Sequence, residues 1–229
     1  MSKNLCIIPA RGGSKRIPRK NIKDFLGKPI ISYSIEAALN SKLFEEVMVS
    51  TDDEEIAGIA KEYGAKVPFF RSKKNADDFA TTADVLMEVI ESYNEISQNF
   101  DNICCIYPTA PFTTAKKLIK ANLKLEEESL DAVFPVMPFS YPIQRALKIG
   151  DSKVSFFYPE FENSRSQDLE EAFHDSGQFY FIKTKAFLKN KSIFTANTGG
   201  IIINDLEAQD IDNETDWKIA EIKYKFNAK

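Results

Sequence analysis

The sequence has one histidine, three cysteines and no apolar run long enough to cross a bilayer, and each scarcity excludes a class of chemistry. With His174 alone, no histidine-based metal cluster can be assembled. Cys6, Cys104 and Cys105 are odd in number, two are adjacent, and all lie in apolar strand-like runs, so they read as buried free thiols. The N-terminal apolar stretch is too short for a signal peptide and runs straight into charged sequence. A formal net charge of -4 over 229 residues gives no footprint for nucleic acid or a membrane surface. No repeat, low-complexity tract or flexible linker breaks the chain. These exclusions leave a cytoplasmic, soluble protein, 43% apolar and long enough to bury a core without disulfides or structural metal.

The first half alternates β-branched runs with amphipathic helical stretches, the pattern of an α/β fold with a largely parallel sheet. Strands are expected at Leu5 to Pro9, Val47 to Ser50, Val67 to Phe70, Ile103 to Tyr107 and Ala132 to Val136. Helices are expected from Pro29 through Leu39, around Ile56, Ile59 and Ala60 behind a cap at Thr51 or Asp52, from Val85 to Ile96, and from Leu118 to Leu125. After Pro138 the rhythm breaks. Residues 139 to 175 are rich in aromatics, charges and turn formers and read as an insertion in a single domain spanning 1 to 229. Strands at Phe179 to Ile182 and Ile201 to Ile203 and a helix from Thr215 to Phe226 restore the pattern.

In such a sheet the ligand sits beyond the carboxyl ends of the strands, so the loop after the first strand is the first place to look. There Gly12 and Gly13 lack Cβ atoms and allow backbone N–H groups close to phosphate oxygens. Arg11, Lys15, Arg16, Arg19 and Lys20 place five cations within ten residues, with no acid before Asp24. That density suits a nucleoside triphosphate better than a solvated face. The spacing fits neither the Walker loop nor the dinucleotide fingerprint, and Pro18 keeps the loop from starting a helix.

The run Arg11-Gly12-Gly13-Ser14-Lys15-Arg16-Ile17-Pro18-Arg19-Lys20-Asn21 resembles the signature loop of the CMP-sialic acid synthetase family. The resemblance runs collinearly along nearly the whole chain. It implies a Rossmann-like nucleotide-diphospho-sugar transferase fold, with a mostly parallel mixed sheet between helices and an insertion used for dimerisation and sugar binding. It implies that Arg11, Ser14 and Lys15 line the triphosphate, Lys20 serves catalysis and Asn21 contacts the nucleotide. The partners implied are CTP and a nine-carbon 2-keto acid sugar, and the assembly implied is a homodimer.

Downstream, Asp210 and Asp212 project from one face of an extended segment, so both carboxylates can converge on a hard cation such as Mg²⁺. An acidic turn with Asp212 or Asn213 capping the last helix is the plainer alternative. The resemblance places the family's metal segment here. Arg71 stands at a strand end, and Thr82 can cap the next helix. The family binds its nucleoside in this region, which points to both. Tyr107-Pro108-Thr109-Ala110-Pro111 resembles the family's Q-P-T-S-P loop, with Tyr107 and Ala110 departing from it.

Within the insertion, the text around Gln144, Arg145, Arg165, Gln167 and His174 to Tyr180 resembles the pseudaminic acid branch of the family. Arg145 or Arg165 could pair with the sugar's carboxylate, and Gln144, Gln167 and Gln178 could reach its acetamido groups. His174 could serve as a base or make a structural hydrogen bond. The reaction implied is attack of the sugar's anomeric hydroxyl on the α-phosphate of CTP, supplying glycosylation of flagellin or a surface polysaccharide. Lys15, Lys20 and Asp212 are the expected catalytic groups. Neuraminic and legionaminic acids are rival acceptors, and a non-catalytic nucleotide-binding protein is the rival class.

Overall fold

The computed structural model describes residues 2–227. Eleven strands and six helices alternate along it. They are β1 (Asn4–Pro9), β2 (Asp24–Phe25), β3 (Lys28–Pro29), α1 (Ile30–Ser41), β4 (Glu46–Ser50), α2 (Glu54–Glu62), α3 (Thr82–Glu95), β5 (Asn102–Ile106) and α4 (Ala115–Glu127). The second half holds β6 (Ala132–Pro138), β7 (Leu147–Gly150), β8 (Lys153–Phe156), β9 (Phe173–Asp175), β10 (Phe179–Lys183), α5 (Thr184–Asn190), β11 (Thr198–Ile202) and α6 (Glu214–Asn227).

The main sheet runs β11-β6-β10-β5-β1-β4, with β9 also paired to β6. β1 lies parallel to both β4 and β5, while β10 runs antiparallel between β5 and β6. The carboxyl ends of β1, β4, β5, β6 and β11 therefore share one edge, and the loops that leave them meet there. Side chains alternate between two faces, as a strand period of two requires. Cys6, Ile8, Cys104, Ile106, Phe179 and Phe181 pack on one face with Ile31 and Ile35 of α1 and Leu118 of α4. Leu5, Ile7, Ile103, Cys105, Tyr180 and Ile182 pack on the other with Leu86 and Val89 of α3 and Phe187 of α5. All three cysteines are free and buried, and burial raises their thiol pKa values. Among the described residues no helix is long and apolar enough to cross a membrane.

A third apolar cluster lies off the sheet and ties the ends of the chain together. Ile17 of the glycine-rich loop, Phe25, Ile30 and Tyr33 pack with Ile211, Trp217 and Ala220. Phe25 meets Tyr33, Trp217 and Tyr224 edge-on, with ring centroids 5.4, 5.6 and 5.7 Å away. It is presented by the β2–β3 hairpin, whose turn residues Leu26 (φ 54°) and Gly27 (φ 97°) both take the left-handed backbone. Tight two-residue hairpins favour this geometry and glycine supplies it at little cost.

Several expectations are corrected. Val67 to Phe70 forms no strand: only Lys66 bridges to Met48, and Pro68 lacks the N–H that continued pairing needs. The cap of α2 is Asp53, whose Oδ1 accepts from Glu55 N and Ile56 N, both at 3.0 Å. The cap of α3 is Thr81, closed reciprocally by Asp84, and Thr82 is the first helical residue. The loop does contain a short 3-10 turn at Lys20–Ile22, entered through Arg19 in the left-handed region (φ 55°). Residues 139 to 175 hold the β7–β8 hairpin, three 3-10 turns and β9.

Phe25→Ala removes the centre of the third cluster. It should lower the free energy of unfolding in urea by about 3–5 kcal/mol, leaving the m-value unchanged.

Candidate active site

A cleft of about 470 Å³ opens at the carboxyl edge of the sheet, beside the ends of β1 and β5. Arg11, Ser14, Lys15, Arg16, Ile17, Lys20 and Asn21 line it from the glycine-rich loop. Tyr107, Pro108 and Thr109 line it from the loop after β5, and Asp78 closes it from the segment before α3.

The loop keeps its shape through contacts to its own backbone and to the start of α2. Ala10 N donates to Ser50 O at 2.9 Å, continuing the β1–β4 pairing by one residue. Asn21 is buried and donates from Nδ2 to the Arg11 carbonyl at 2.9 Å, so it stitches the loop's exit to its entry. Gly12 N donates to Asp52 Oδ1 at 2.9 Å. A Cβ on Gly12 would lie 2.6 Å from Asp53 Oδ2, so close approach to α2 is what demands glycine there. Gly13 has open space around it.

The five expected cations divide into four and one. Arg19 turns away from the cleft: its Nη1 and Nη2 grip Asp53 at 2.5 and 2.9 Å, and it also pairs with Glu55. The other four line the cleft and pair with acids from distant segments. Arg11 Nη1 lies 2.8 Å from Asp78 Oδ1, and Lys15 pairs with Asp78 Oδ2. Arg16 Nη1 is 2.9 Å from Asp212 Oδ2.

Lys20 donates to the Ile211 carbonyl at 2.8 Å and stands 3.9 Å from Asp212 Oδ1. Burial lowers its pKa, against the pull of Asp212 and Asp210 and with the push of Arg16 and Arg11. Asp210 shifts upward, through burial first and then through the negative charge of Asp212, with Lys20 opposing. Two carboxylates that repel each other beside a half-buried ammonium suit a hard cation that keeps further positions for phosphate oxygens and water. Among the described residues no cluster of three or more acidic, histidine or cysteine ligands gathers, at this pair or elsewhere. Asn213 caps α6, accepting from Thr215 N at 2.9 Å and Asp216 N at 3.1 Å. Asp212 is thereby spared the cap and left to face the cations.

Gly12, Gly13, Asp210 and Asp212 are not among the lining residues, Asp212 touching the cleft only through its pairs with Arg16 and Lys20. The other expected residues also lie outside the lining. Arg71 is buried behind the end of β4, donating from Nε to Ser50 Oγ at 3.1 Å and from Nη2 to Ser50 O at 2.5 Å. Burial lowers its pKa, with Asp52 opposing. Thr82 Oγ1 meets the Tyr107 hydroxyl at 3.1 Å, so it reaches the cleft only through that ring. Gln178 is buried and donates to Glu207 O at 2.7 Å. Gln144 donates to Glu170 O at 2.9 Å, and Arg165 is spent on Asp168 at 2.6 and 3.0 Å. Arg145 and Gln167 sit in 3-10 turns of the same segment. His174 Nδ1 is 2.9 Å from the Asp175 carbonyl, and its ring packs 4.9 Å from that of Phe139. None of these residues between 139 and 178 lines the cleft.

Asp78 and the Ile211 carbonyl were not anticipated. Asp78 is one of an acidic pair far along the chain from the loop, and spacing alone does not join them. Tyr107 stood out only as a departure from a family pattern. Its hydroxyl contact with Thr82 gives it a place as the cleft's aromatic wall.

A sheet of this order with a cationic loop after β1 is the fold of the nucleotidyltransferases. It matches CMP:2-keto-3-deoxy-manno-octonic acid synthetase, solved in complex with CTP, at a TM-score of 0.72 over 99% of each chain. At 16% identity that likeness is one of fold alone. The family profile described as Cytidylyltransferase matches residues 5–210, and the chain belongs to that family. It is 47% identical to the pseudaminic acid cytidylyltransferase of Campylobacter jejuni, over 98% of this chain and 97% of that one. It is 33% identical to the CMP-N,N'-diacetyllegionaminic acid synthase of Legionella pneumophila, over 97% of each.

The hydrogen bond from Arg19, with those from Ile56 N and Glu55 N, holds the Asp53 carboxyl down from 3.8 to about 2, against the opposing effect of burial. A depressed carboxyl stabilises the fold fully above its unfolded value and loses that contribution as pH falls through its folded value. Stability should therefore decline between pH 3.8 and about 2. Asp53→Asn, which keeps a capping side chain, should flatten that part of the curve in urea titrations.

Proposed function

We propose that the protein transfers CMP from CTP to the anomeric hydroxyl of pseudaminic acid, giving CMP-pseudaminic acid and pyrophosphate. One observation carries the reading: Lys20, which lines the cleft together with Arg11, Ser14, Lys15 and Arg16, stands 3.9 Å from Asp212, from the opposite end of the chain. The choice of sugar rests on the 47% identity, over nearly the full length, to a relative named for that activity.

In this reading Arg11, Gly12, Gly13, Ser14, Lys15 and Asn21 hold the nucleotide, with the triphosphate against Arg11, Ser14 and Lys15. Lys20 is fixed by the Ile211 carbonyl and presents its charge from a partly desolvated position. An ammonium so placed is worth more to a developing negative charge than one in water, and needs no reorganisation as the charge appears. Displacement at phosphorus calls for in-line positioning and neutralisation rather than a covalent intermediate. Asp210 and Asp212 would hold Mg²⁺, which supplies Lewis-acid stabilisation of phosphate charge when bound. Arg71 and Thr82 act from behind the wall, Arg71 by fixing the end of β4 and Thr82 by fixing Tyr107.

The sugar-side residues, Gln144, Arg145, Arg165, Gln167 and Gln178, need a different geometry. Those between 139 and 175 lie off the cleft of their own chain, which suits a homodimer whose insertion reaches a second copy. The β7–β8 hairpin supports this, since Leu147, Ile149 and Val154 are exposed on one apolar face. A monodisperse dimer is expected in sedimentation at micromolar concentration. Ile149→Glu should shift it to monomer, and a wild-type monomer would remove the dimer from the reading.

The assay is pyrophosphate release with CTP, Mg²⁺ and a panel of pseudaminic, legionaminic and N-acetylneuraminic acids. Pseudaminic acid should give the highest kcat/KM. Lys20→Ala and Asp212→Ala should each lower it by about a hundredfold or more, with circular dichroism unchanged. Release near the wild-type rate by either variant overturns the assignment of these two residues, and no release with any sugar favours a binding protein.

A further inference from the structure

The polyphosphate loop already carries an anion, and the chain itself supplies it. Both carboxylate oxygens of Asp78 are engaged in the cleft, Oδ1 by Arg11 at 2.8 Å and Oδ2 by Lys15. Arg11 Nη1 also donates to the Asp77 carbonyl at 2.6 Å, so the segment's backbone joins in. We propose that Asp78 sets the protein's affinity for polyphosphate. Its carboxylate occupies Arg11 and Lys15 in the free protein, yields them to the β- and γ-phosphates of the nucleotide, and takes them back as pyrophosphate leaves. This rests on the CTP reading of the cleft and adds to it a residue that the reaction does not otherwise require.

The local construction fits such an exchange. Asp77 Oδ1 accepts from Phe79 N and Ala80 N, both at 2.8 Å, which makes a self-contained turn just ahead of the Thr81 cap. At its tip Phe79 is 90% exposed, so little packing holds the turn in place. Across the cleft the turn is held by ion pairs to side chains that are themselves partly or largely exposed. Exposed pairs are weak and screened, so one carboxylate gives way to a ligand bearing several charges. Asp212 is held otherwise: it pairs with Arg16 and Lys20, and its own segment is anchored by the buried Ile211.

An internal competitor weakens every ligand that uses Arg11 and Lys15 and spares one that does not. Calorimetric titration of the intact protein and of Asp78→Asn with CTP, inorganic pyrophosphate and CMP tests this. CTP and pyrophosphate should bind the variant about three- to tenfold more tightly, whereas CMP, which lacks the β- and γ-phosphates, should bind both proteins alike. Equal or weaker binding of CTP by the variant, with wild-type binding intact, overturns the proposal alone. Tightening of all three ligands by the same factor also overturns it, because that pattern reports a general change in the cleft. If neither protein binds CTP, the nucleotide reading fails and this proposal fails with it.

Discussion

The arrangement of the cleft depends on the bond between the Lys20 ammonium and the Ile211 carbonyl. It joins the loop after the first strand to the segment before the last helix, and no element of the central sheet lies between them. Its two segments are held by buried apolar side chains, Ile17 of the loop and Ile211 itself, each about 1% exposed. Around them Phe25, Tyr33, Trp217 and Tyr224 interlock edge-on, fixing the hairpin against α6. Hydrophobic packing thus places the charges, and the charges place whatever enters the cleft.

The electrostatics of the cleft follow from that placement. Four cations converge on one opening, and each is balanced by an acid from a distant part of the chain. The fifth, Arg19, is diverted to Asp53, which also caps α2 and crowds Gly12. Asp53 thereby couples the helix start to the curvature of the loop. Lys20 differs from the others in being half-buried with its pKa lowered by desolvation, the environment in which an ammonium acts most strongly on nearby phosphate.

Much of this was legible in the sequence where a local rule governs. The continuous apolar runs of β1, β5 and β10 placed the sheet, and the density of basic residues between Arg11 and Lys20 placed the cleft. Adjacent residues of like character were harder to separate. Thr51, Asp52 and Asp53 can all cap a helix, yet each does something different. The Thr51 hydroxyl accepts from Asp53 N, Asp52 accepts from Gly12 N, and only Asp53 caps. Thr81 and Thr82 divide similarly, because Asp84 closes a capping box with the first and Tyr107 claims the second. Val67 to Phe70 has strand composition, but Pro68 and the packing of Phe69 against Tyr93 prevail over propensity. Ion pairs between remote segments, such as Lys15 with Asp78, carry no local signature at all.

The third apolar cluster also bears on how the protein is made. Ribosomes deliver Ile17 long before Ile211 and Trp217, so the sheet strands β1, β4 and β5 can pair while the basic loop still lacks its floor. During that interval the loop's positive charges face solvent without Asp212, and Phe25 has no ring from α6 to close on. The cleft's arrangement therefore waits on residues that leave the ribosome last. A nascent chain with a formed sheet would not yet have a formed cleft.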